Sequence, residues 1–201
     1  MRVIAGSARG RRIEVPAGAA TRPTTDRVRE ALFSAIVSWA GTGDLAPEGS
    51  LSGLGLCDLY AGSGAIGLEA ASRGASPVLL VEADRRMAAL AGRNAANLGL
   101  GAEVRAIRVE ALLGGPAPRA FEVMVADPPY ELDSVQVSAL LAEAVAGGWL
   151  AAHGLAVVER SRRSPGLRWP DVFSHSWTKT YGETLLEFGD LDNLPATEGG
   201  A

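Results

Sequence analysis

Two kinds of apolar spacing alternate along this chain and divide it into elements. Val28, Ala31, Leu32, Ala35, Ile36 and Trp39 recur at the spacing of one helical face, and Thr24-Thr25-Asp26 supplies a start signal just before them. Upstream, residues 2–5 and 11–15 read as short strands around Gly6-Ser-Ala-Arg-Gly10, a hairpin too small to be stable by itself. From Leu54 onward, short apolar runs alternate with helical stretches, the signature of successive strand–helix–strand units. Strands are predicted over 54–60, 78–83, 103–109, 121–127 and 155–159. The runs Val78-Leu-Leu-Val81 and Val123-Met-Val-Ala126 are continuously apolar, as parallel strands covered on both faces require. Between them, Met87, Leu90, Ala91, Asn94, Ala95 and Leu98 repeat at helical spacing up to Gly99, and Val137, Leu140, Leu141, Ala144 and Val145 do the same.

The rhythm changes near the end. Residues 172–180 and 183–188 are joined by Tyr181-Gly182, too short for a helical crossover, so they pair antiparallel. The predicted fold is α/β: a mostly parallel, doubly wound sheet closed by an antiparallel hairpin and preceded by a small N-terminal hairpin and helix. The expected organisation is a basic appendage over 1–40, a Gly-, Pro- and Ser-rich linker over 41–53, a main domain over 54–189 and a disordered tail over 190–201.

Composition narrows the class. With 201 residues, 47% of them hydrophobic and 21% charged, the chain has enough apolar mass for one globular core. The apolar stretch over 139–158 is interrupted by Glu143, Gly147, Gly148, His153 and Gly154, and reads as a helix and a buried strand rather than a membrane span. A single cysteine, Cys57, excludes an intramolecular disulfide, and the first residues lack the apolar core of a signal peptide, so a cytoplasmic location is expected. The net charge is −4, which alone would argue against a nucleic-acid partner. Yet residues 1–29 hold seven arginines (Arg2, Arg9, Arg11, Arg12, Arg22, Arg27, Arg29) against Glu14 and Asp26. A basic arm on an acidic body suggests a polyanionic partner; a solvated arginine-rich segment is the plainer alternative. Arg160, Arg162, Arg163 and Arg168 form a second candidate patch.

Two motifs carry chemistry. Asp58-Leu-Tyr60-Ala-Gly62-Ser-Gly64-Ala-Ile-Gly67 follows the first main-domain strand and opens a helix, where glycines allow a tight turn and close approach to a ligand. Glu82 ends the next strand, 18 residues beyond Gly64, near the offset at which a carboxylate meets ribose hydroxyls; capping the following helix is its alternative role. Asp58 is placed to accept hydrogen bonds from the loop or from a cationic ligand. Glu110 follows the third strand and is a candidate for an adenine amino group. The spacing Gly62, Gly64, Gly67 also satisfies the dinucleotide fingerprint, which keeps an NAD-dependent dehydrogenase open.

Asp127-Pro128-Pro129-Tyr130 is the sharper signal. At average usage two adjacent prolines arise about once in 400 positions, and here they follow a strand at the edge where open α/β sheets bind ligands. An exocyclic nucleobase amine is a poor nucleophile because its lone pair is delocalised into the ring. The Asp127 carboxylate and the Pro128 carbonyl can draw on its hydrogens, held rigidly by proline's fixed φ, while Tyr130 can stack on an extruded base. That chemistry needs no metal.

The order of the glycine loop, the acid at 82 and Asp127-Pro128-Pro129-Tyr130 resembles the Rossmann-like class I S-adenosylmethionine-dependent methyltransferases. Arg2-Val-Ile-Ala-Gly6, Gly10-Arg11-Arg12 and Arg22-Pro-Thr-Thr-Asp-Arg27-Val-Arg29-Glu-Ala-Leu-Phe33 are similar to the bacterial 16S ribosomal RNA guanine-N2 methyltransferase family, over about residues 1–189. The resemblance implies methyl transfer from S-adenosylmethionine to a guanine amine of 16S rRNA, with the assembled 30S subunit as preferred partner. It implies that Asp58, Tyr60, Gly62, Gly64, Glu82, Glu110 and Asp127 surround the cofactor, that Asp127, Pro128, Pro129 and Tyr130 form the catalytic loop, and that the arm's arginines clamp RNA phosphates. One departure is Glu110, where related enzymes usually carry Asp. DNA adenine-N6 methylation uses the same catalytic loop and stays a rival, as does a non-catalytic RNA-binding assembly factor.

Overall fold

The computed structural model describes residues 1–16 and 25–191. Its first helix, α1 (Asp26–Trp39), starts where the sequence signals it: the Thr25 side chain accepts a hydrogen bond from the Val28 N–H at 3.3 Å, and Asp26 lies in the positively polarised first turn. The main body follows as β1 (Leu56–Leu59), α2 (Ala65–Ser72), β2 (Val78–Val81), α3 (Arg85–Leu98), β3 (Glu103–Arg105), α4 (Val109–Leu113), β4 (Phe121–Ala126), α5 (Ser134–Ala146), β5 (Leu150–Ser161), β6 (His175–Tyr181) and β7 (Thr184–Asp190). The strands form one sheet in the order β3-β2-β1-β4-β5-β7-β6. β1 to β5 pair in parallel, whereas β7 runs antiparallel to both β5 and β6. The predicted doubly wound sheet with its terminal antiparallel hairpin is therefore present, and β7, inserted between β5 and β6, separates it from the usual dinucleotide-binding order.

The continuous apolar strands hide an alternation. Val123, Val125, Leu155 and Val157 face one buried cluster, while Met124, Ala126, Ala156 and Val158 face the other. The first cluster contains Val3, Ile13, Val28, Leu32, Phe33 and Ile36, so the N-terminal segment and α1 pack directly on the sheet. The second contains Leu112, Leu113, Val137, Leu141 and Trp149, which places α4 and α5 on the opposite face.

Several elements differ from the periodicity. The strands expected over 2–5 and 11–15 reduce to one antiparallel bridge, Arg2↔Arg12. Their backbone donors go elsewhere: the Ile4 and Ala5 N–H groups bond the Glu69 carboxylate on α2 at 2.7 and 2.9 Å. Gly6 lies against α2 with φ +84°, and a Cβ there would sit 1.9 Å from the Ser72 carbonyl oxygen. The strand expected over 103–109 stops at Arg105, and Val109 opens α4 instead. β5 begins five residues earlier than the periodicity indicated, through an irregular register between Phe121 and Val123, and the strand expected from 172 begins at His175. Residues 41–53 include a short 3-10 turn, Pro47–Gly49, and the buried Leu51, whose N–H bonds the Arg73 carbonyl at 2.9 Å. Asp190, read as the first residue of a disordered tail, closes β7, and Leu191 is buried; residues 192–201 lie outside the described residues. Among the described residues, no helix is long and apolar enough to cross a membrane.

Candidate active site

The chemistry gathers at the carboxyl ends of β1, β2 and β4. Asp58 is buried in β1, and its Oδ2 accepts the Gly67 N–H at 2.8 Å, fixing the start of α2 against the strand. Gly64 caps α2 at φ +83°, and Gly62 has φ +56°. A Cβ on Gly67 would come within 2.2 Å of Leu80 Cδ2, so only glycine lets the helix approach β2 this closely. Tyr60 is a non-glycine residue at φ +64°, a strained conformation of the kind that collects at functional sites.

Glu82 is tied to the loop rather than to α3. Its Oε2 accepts the Gly62 N–H at 2.9 Å and its Oε1 the Asp84 N–H at 2.8 Å. The cap of α3 is Asp84, which accepts from Arg86 and Met87. Ionised carboxylate oxygens have further lone pairs, so Glu82 keeps acceptor capacity for a ligand. Tyr60 is half-buried, and its hydroxyl has no hydrogen-bond partner among the described residues. Burial pushes that hydroxyl above its usual range, and the Glu110 carboxylate pushes in the same direction. Glu110 lies in the first turn of α4, with Arg108 Nε 3.3 Å from its Oε2.

Asp127 follows β4 directly. The residue as a whole is exposed, while desolvation of its carboxyl lifts it to about 6. Burial lifts Asp58 to about 7, with the Gly67 N–H pulling the other way and the charges of Asp127 and Glu82 adding to the rise. Asp127 and Glu82 thus raise the cost of charge on Asp58, a condition that a bound cation relieves.

Beyond Asp127, Pro128 is half-buried and Tyr130 is 80% exposed. The loop borders a cleft of about 420 Å³. Thr25, Arg27 and Val28 of α1 form another of its walls, and Glu159, Arg160 and the β6–β7 turn complete it. The structure thus brings Arg27 to the Asp127-Pro128-Pro129-Tyr130 loop, a placement that charge counting did not reveal.

The other arginines separate into distinct roles. Arg9 and Arg12 are exposed, and Arg2 donates to the Gly10 carbonyl at 2.6 Å. Arg11 binds the last carbonyls of α3, those of Leu98 (2.6 Å) and Asn97. Arg29 corrects the sequence reading: it is fully buried, donates to the Arg2 carbonyl at 2.5 Å and to Asp26 at 3.1 Å, and lies 3.9 Å from Glu69, so it cannot meet a phosphate in solvent. Arg22 lies outside the described residues. In the second candidate patch, Arg162 and Arg163 pair with Glu183, while Arg160 donates to Ser134 Oγ at 2.7 Å. The exposed backbone carbonyl of Arg168 accepts from Ser138 Oγ at 2.5 Å.

Two residues escaped sequence reasoning. Glu69 collects the arm's N–H groups together with Arg73 Nε at 2.9 Å. Asn94, buried in α3, accepts from the Glu14 N–H and donates to the carbonyls of Glu14 and Ser63, each at 2.9 Å, joining the arm to the glycine loop. A polar residue on the apolar face of α3 was the available signal for Asn94.

Known proteins share this architecture. The family described as conserved hypothetical protein 95 matches residues 1–190. Ribosomal RNA small subunit methyltransferase D of Escherichia coli K12 is 37% identical over 164 residues, covering 79% of this chain and 74% of its own. The structure of putative methyltransferase yhhF from Escherichia coli superposes with a TM-score of 0.78 at 29% identity, covering 96% of this chain and 98% of that one. The fold also recurs in a Thermus thermophilus 16S rRNA N2 G1207 methyltransferase in complex with AdoMet and guanosine (TM-score 0.61, 22% identity, 89% of this chain and 45% of that chain). With the match running over residues 1–190, through both the arm and the Asp127-Pro128-Pro129-Tyr130 loop, this chain belongs to the conserved hypothetical protein 95 family.

Proposed function

We propose that this protein transfers a methyl group from S-adenosylmethionine to the exocyclic N2 amine of a guanine in 16S rRNA, within the small ribosomal subunit of the cytoplasm. The observation that carries this reading is the Asp127-Pro128-Pro129-Tyr130 loop, which sets a carboxylate and an exposed aromatic ring on a cleft walled by Arg27. The site suits a cationic nucleoside. Asp58, Glu82 and Asp127 crowd negative charge at adjoining strand ends, and a Cβ on Gly62 would meet no atom within 4 Å. Gly62, Gly64, Glu82 and the Tyr60–Glu110 side of the loop would hold the cofactor, which supplies an electrophilic methyl on sulfur and leaves as S-adenosylhomocysteine.

The chain's own part is to prepare the amine. The Asp127 carboxylate and the Pro128 carbonyl accept its two hydrogens, favouring a localised lone pair as the N–C bond forms. With a carboxyl near 6, Asp127 is a stronger base than an ordinary aspartate and takes the proton released once the methyl has transferred. Tyr130 stacks on the extruded base, and Arg27 with the exposed Arg2, Arg9 and Arg12 contacts phosphates. Residues 1–40 thereby act as an RNA-binding appendage to the methyltransferase core over 54–189.

The test is incubation with labelled S-adenosylmethionine and 30S particles lacking native methylation, followed by digestion to nucleosides. Label in N2-methylguanosine is the expected result. Label in N6-methyladenosine, or none in the RNA, would overturn the reading.

A further inference from the structure

The cleft contains a second carboxylate in register with Asp127. The last paired residues of β4 and β5 are Ala126 and Val158, so the next residue on each side is a carboxylate, Asp127 just past the end of β4 and Glu159 within β5. Both line the cleft, Glu159 half-buried, and Arg27 lines it too. Alternation puts both on the face of Val125 and Val157, the face on which α1 packs. Neighbouring strands are about 4.8 Å apart, so the side chains can present two acceptors to two adjacent donors on one base.

The nucleobases differ at that edge. Guanine presents N1–H next to the N2 amine, two donors in a row. Adenine and cytosine each place an unprotonated ring nitrogen beside the amine, and its lone pair would oppose a carboxylate. Uracil has the ring N–H but no amine. A pair of carboxylates in this arrangement therefore matches guanine alone among the four standard bases.

We propose that Glu159 reads the target base by accepting the guanine N1–H while Asp127 engages the neighbouring N2 amine. This rests on the reading of the protein as a guanine-N2 methyltransferase and adds the residue that selects guanine. It also supplies a reason for the shared catalytic loop to act here on guanine rather than adenine: the carboxylate beside Asp127 disfavours adenine's N1. A site built to bond a polar edge rejects analogues lacking that edge far more strongly than an apolar pocket does.

The test uses 30S particles reconstituted with 16S rRNA carrying either guanine or 2-aminopurine at the position methylated by the wild-type protein. 2-Aminopurine keeps the amine, but its N1 is an acceptor. The wild-type protein is expected to prefer guanine strongly. Glu159→Gln places an amide N–H donor opposite N1, so its ratio of kcat/KM for guanine over 2-aminopurine is expected to fall by roughly 100-fold, with S-adenosylmethionine affinity unchanged. General loosening of the cleft would slow both substrates and leave the ratio alone. Glu159→Asp, which keeps the charge one methylene further back, is expected to lose about tenfold in rate on guanine while keeping the preference, and it serves if the Gln variant folds poorly. An unchanged ratio in Glu159→Gln, or a full rate in Glu159→Asp, would overturn the role of Glu159. If the wild-type protein methylates no guanine, the parent reading fails first and takes this inference with it.

Discussion

The arginines of the amino-terminal segment and the carboxylates at the sheet edge carry opposite charge and are also used in opposite ways. The carboxylates converge: Asp58, Glu82 and Asp127 come from the ends of three strands, and the charges of Glu82 and Asp127 add to the rise that burial imposes on Asp58. The arginines disperse, with Arg29 buried under α1, Arg11 on the end of α3, Arg27 in the cleft and Arg9 and Arg12 in solvent. Converging charge stores electrostatic strain that a ligand can relieve, whereas dispersed charge divides between holding the fold and meeting a polyanion. Charge density in sequence therefore says little about role until each side chain has been placed.

The widest split is expected between Arg27 and Arg29, two positions apart in the first turn of α1. Arg29→Ala removes a guanidinium that is 0% exposed, takes away its bonds to Asp26 and the Arg2 carbonyl and leaves Glu69 with Arg73 alone, so it is expected to cost about 3 kcal/mol in urea denaturation. It should also expose the arm to protease. A loss under about 1 kcal/mol would contradict a structural role for Arg29.

Next comes the carboxylate side. Asp58 at about 7 and Asp127 at about 6 stand above the 3.8 of an unfolded chain. Between those values the folded protein keeps protons that the unfolded chain has released. Their contribution to stability is therefore full below about pH 4 and is lost as pH rises through 6 and 7. Asp58→Asn keeps an acceptor for the Gly67 N–H and removes that loss for its site. It should gain stability over wild type between about pH 5 and 8, approaching about 4 kcal/mol at the upper end, since the rise is roughly three pKa units at about 1.4 kcal/mol each. Parallel pH profiles for the two proteins would refute this. The same variant should bind S-adenosylmethionine more weakly, having lost part of the negative field.

Asn94→Ala should cost about 1–3 kcal/mol of stability, because three bonds of a buried side chain go, and it should weaken S-adenosylmethionine binding through the freed Ser63 carbonyl. Calorimetry showing wild-type cofactor affinity would limit Asn94 to the arm. The smallest effect belongs to Arg27→Ala, which should leave stability unchanged, weaken 30S binding by about tenfold and lower the slope of log affinity against log salt by about 0.7–0.9. An unchanged slope would remove Arg27 from the phosphate contacts.

What the sequence made legible follows from how local each signal was. Helix α1 has a cap and a face within its own residues, and the β6–β7 hairpin is dictated by a two-residue connection. Asp127-Pro128-Pro129-Tyr130 was readable because its chemistry and its strand context are contiguous. Helix α4, at five residues, is too short to show a period, and its first residue, Val109, falls inside the strand predicted over 103–109. Glu69 and Asn94 were invisible because their partners in the arm lie 64 to 80 residues away in sequence. Arg29 was misassigned although a signal existed: it sits at i, i+3, i+4 and i+7 with Leu32, Phe33 and Ile36, on the buried stripe. Glu159 needed the β4–β5 register, which no single segment contains.

The division of labour between the two regions is tested most directly by single-turnover methyl transfer at saturating S-adenosylmethionine and saturating 30S particles, with Asp127→Ala and Arg27→Ala measured side by side. Saturation removes binding defects, so Arg27→Ala should react within about threefold of wild type, while Asp127→Ala should be slower by about 10³-fold because its loss falls on the reacting amine. Asp127→Ala running at the wild-type rate, or both variants slowing equally, would contradict the assignment of chemistry to the acidic edge.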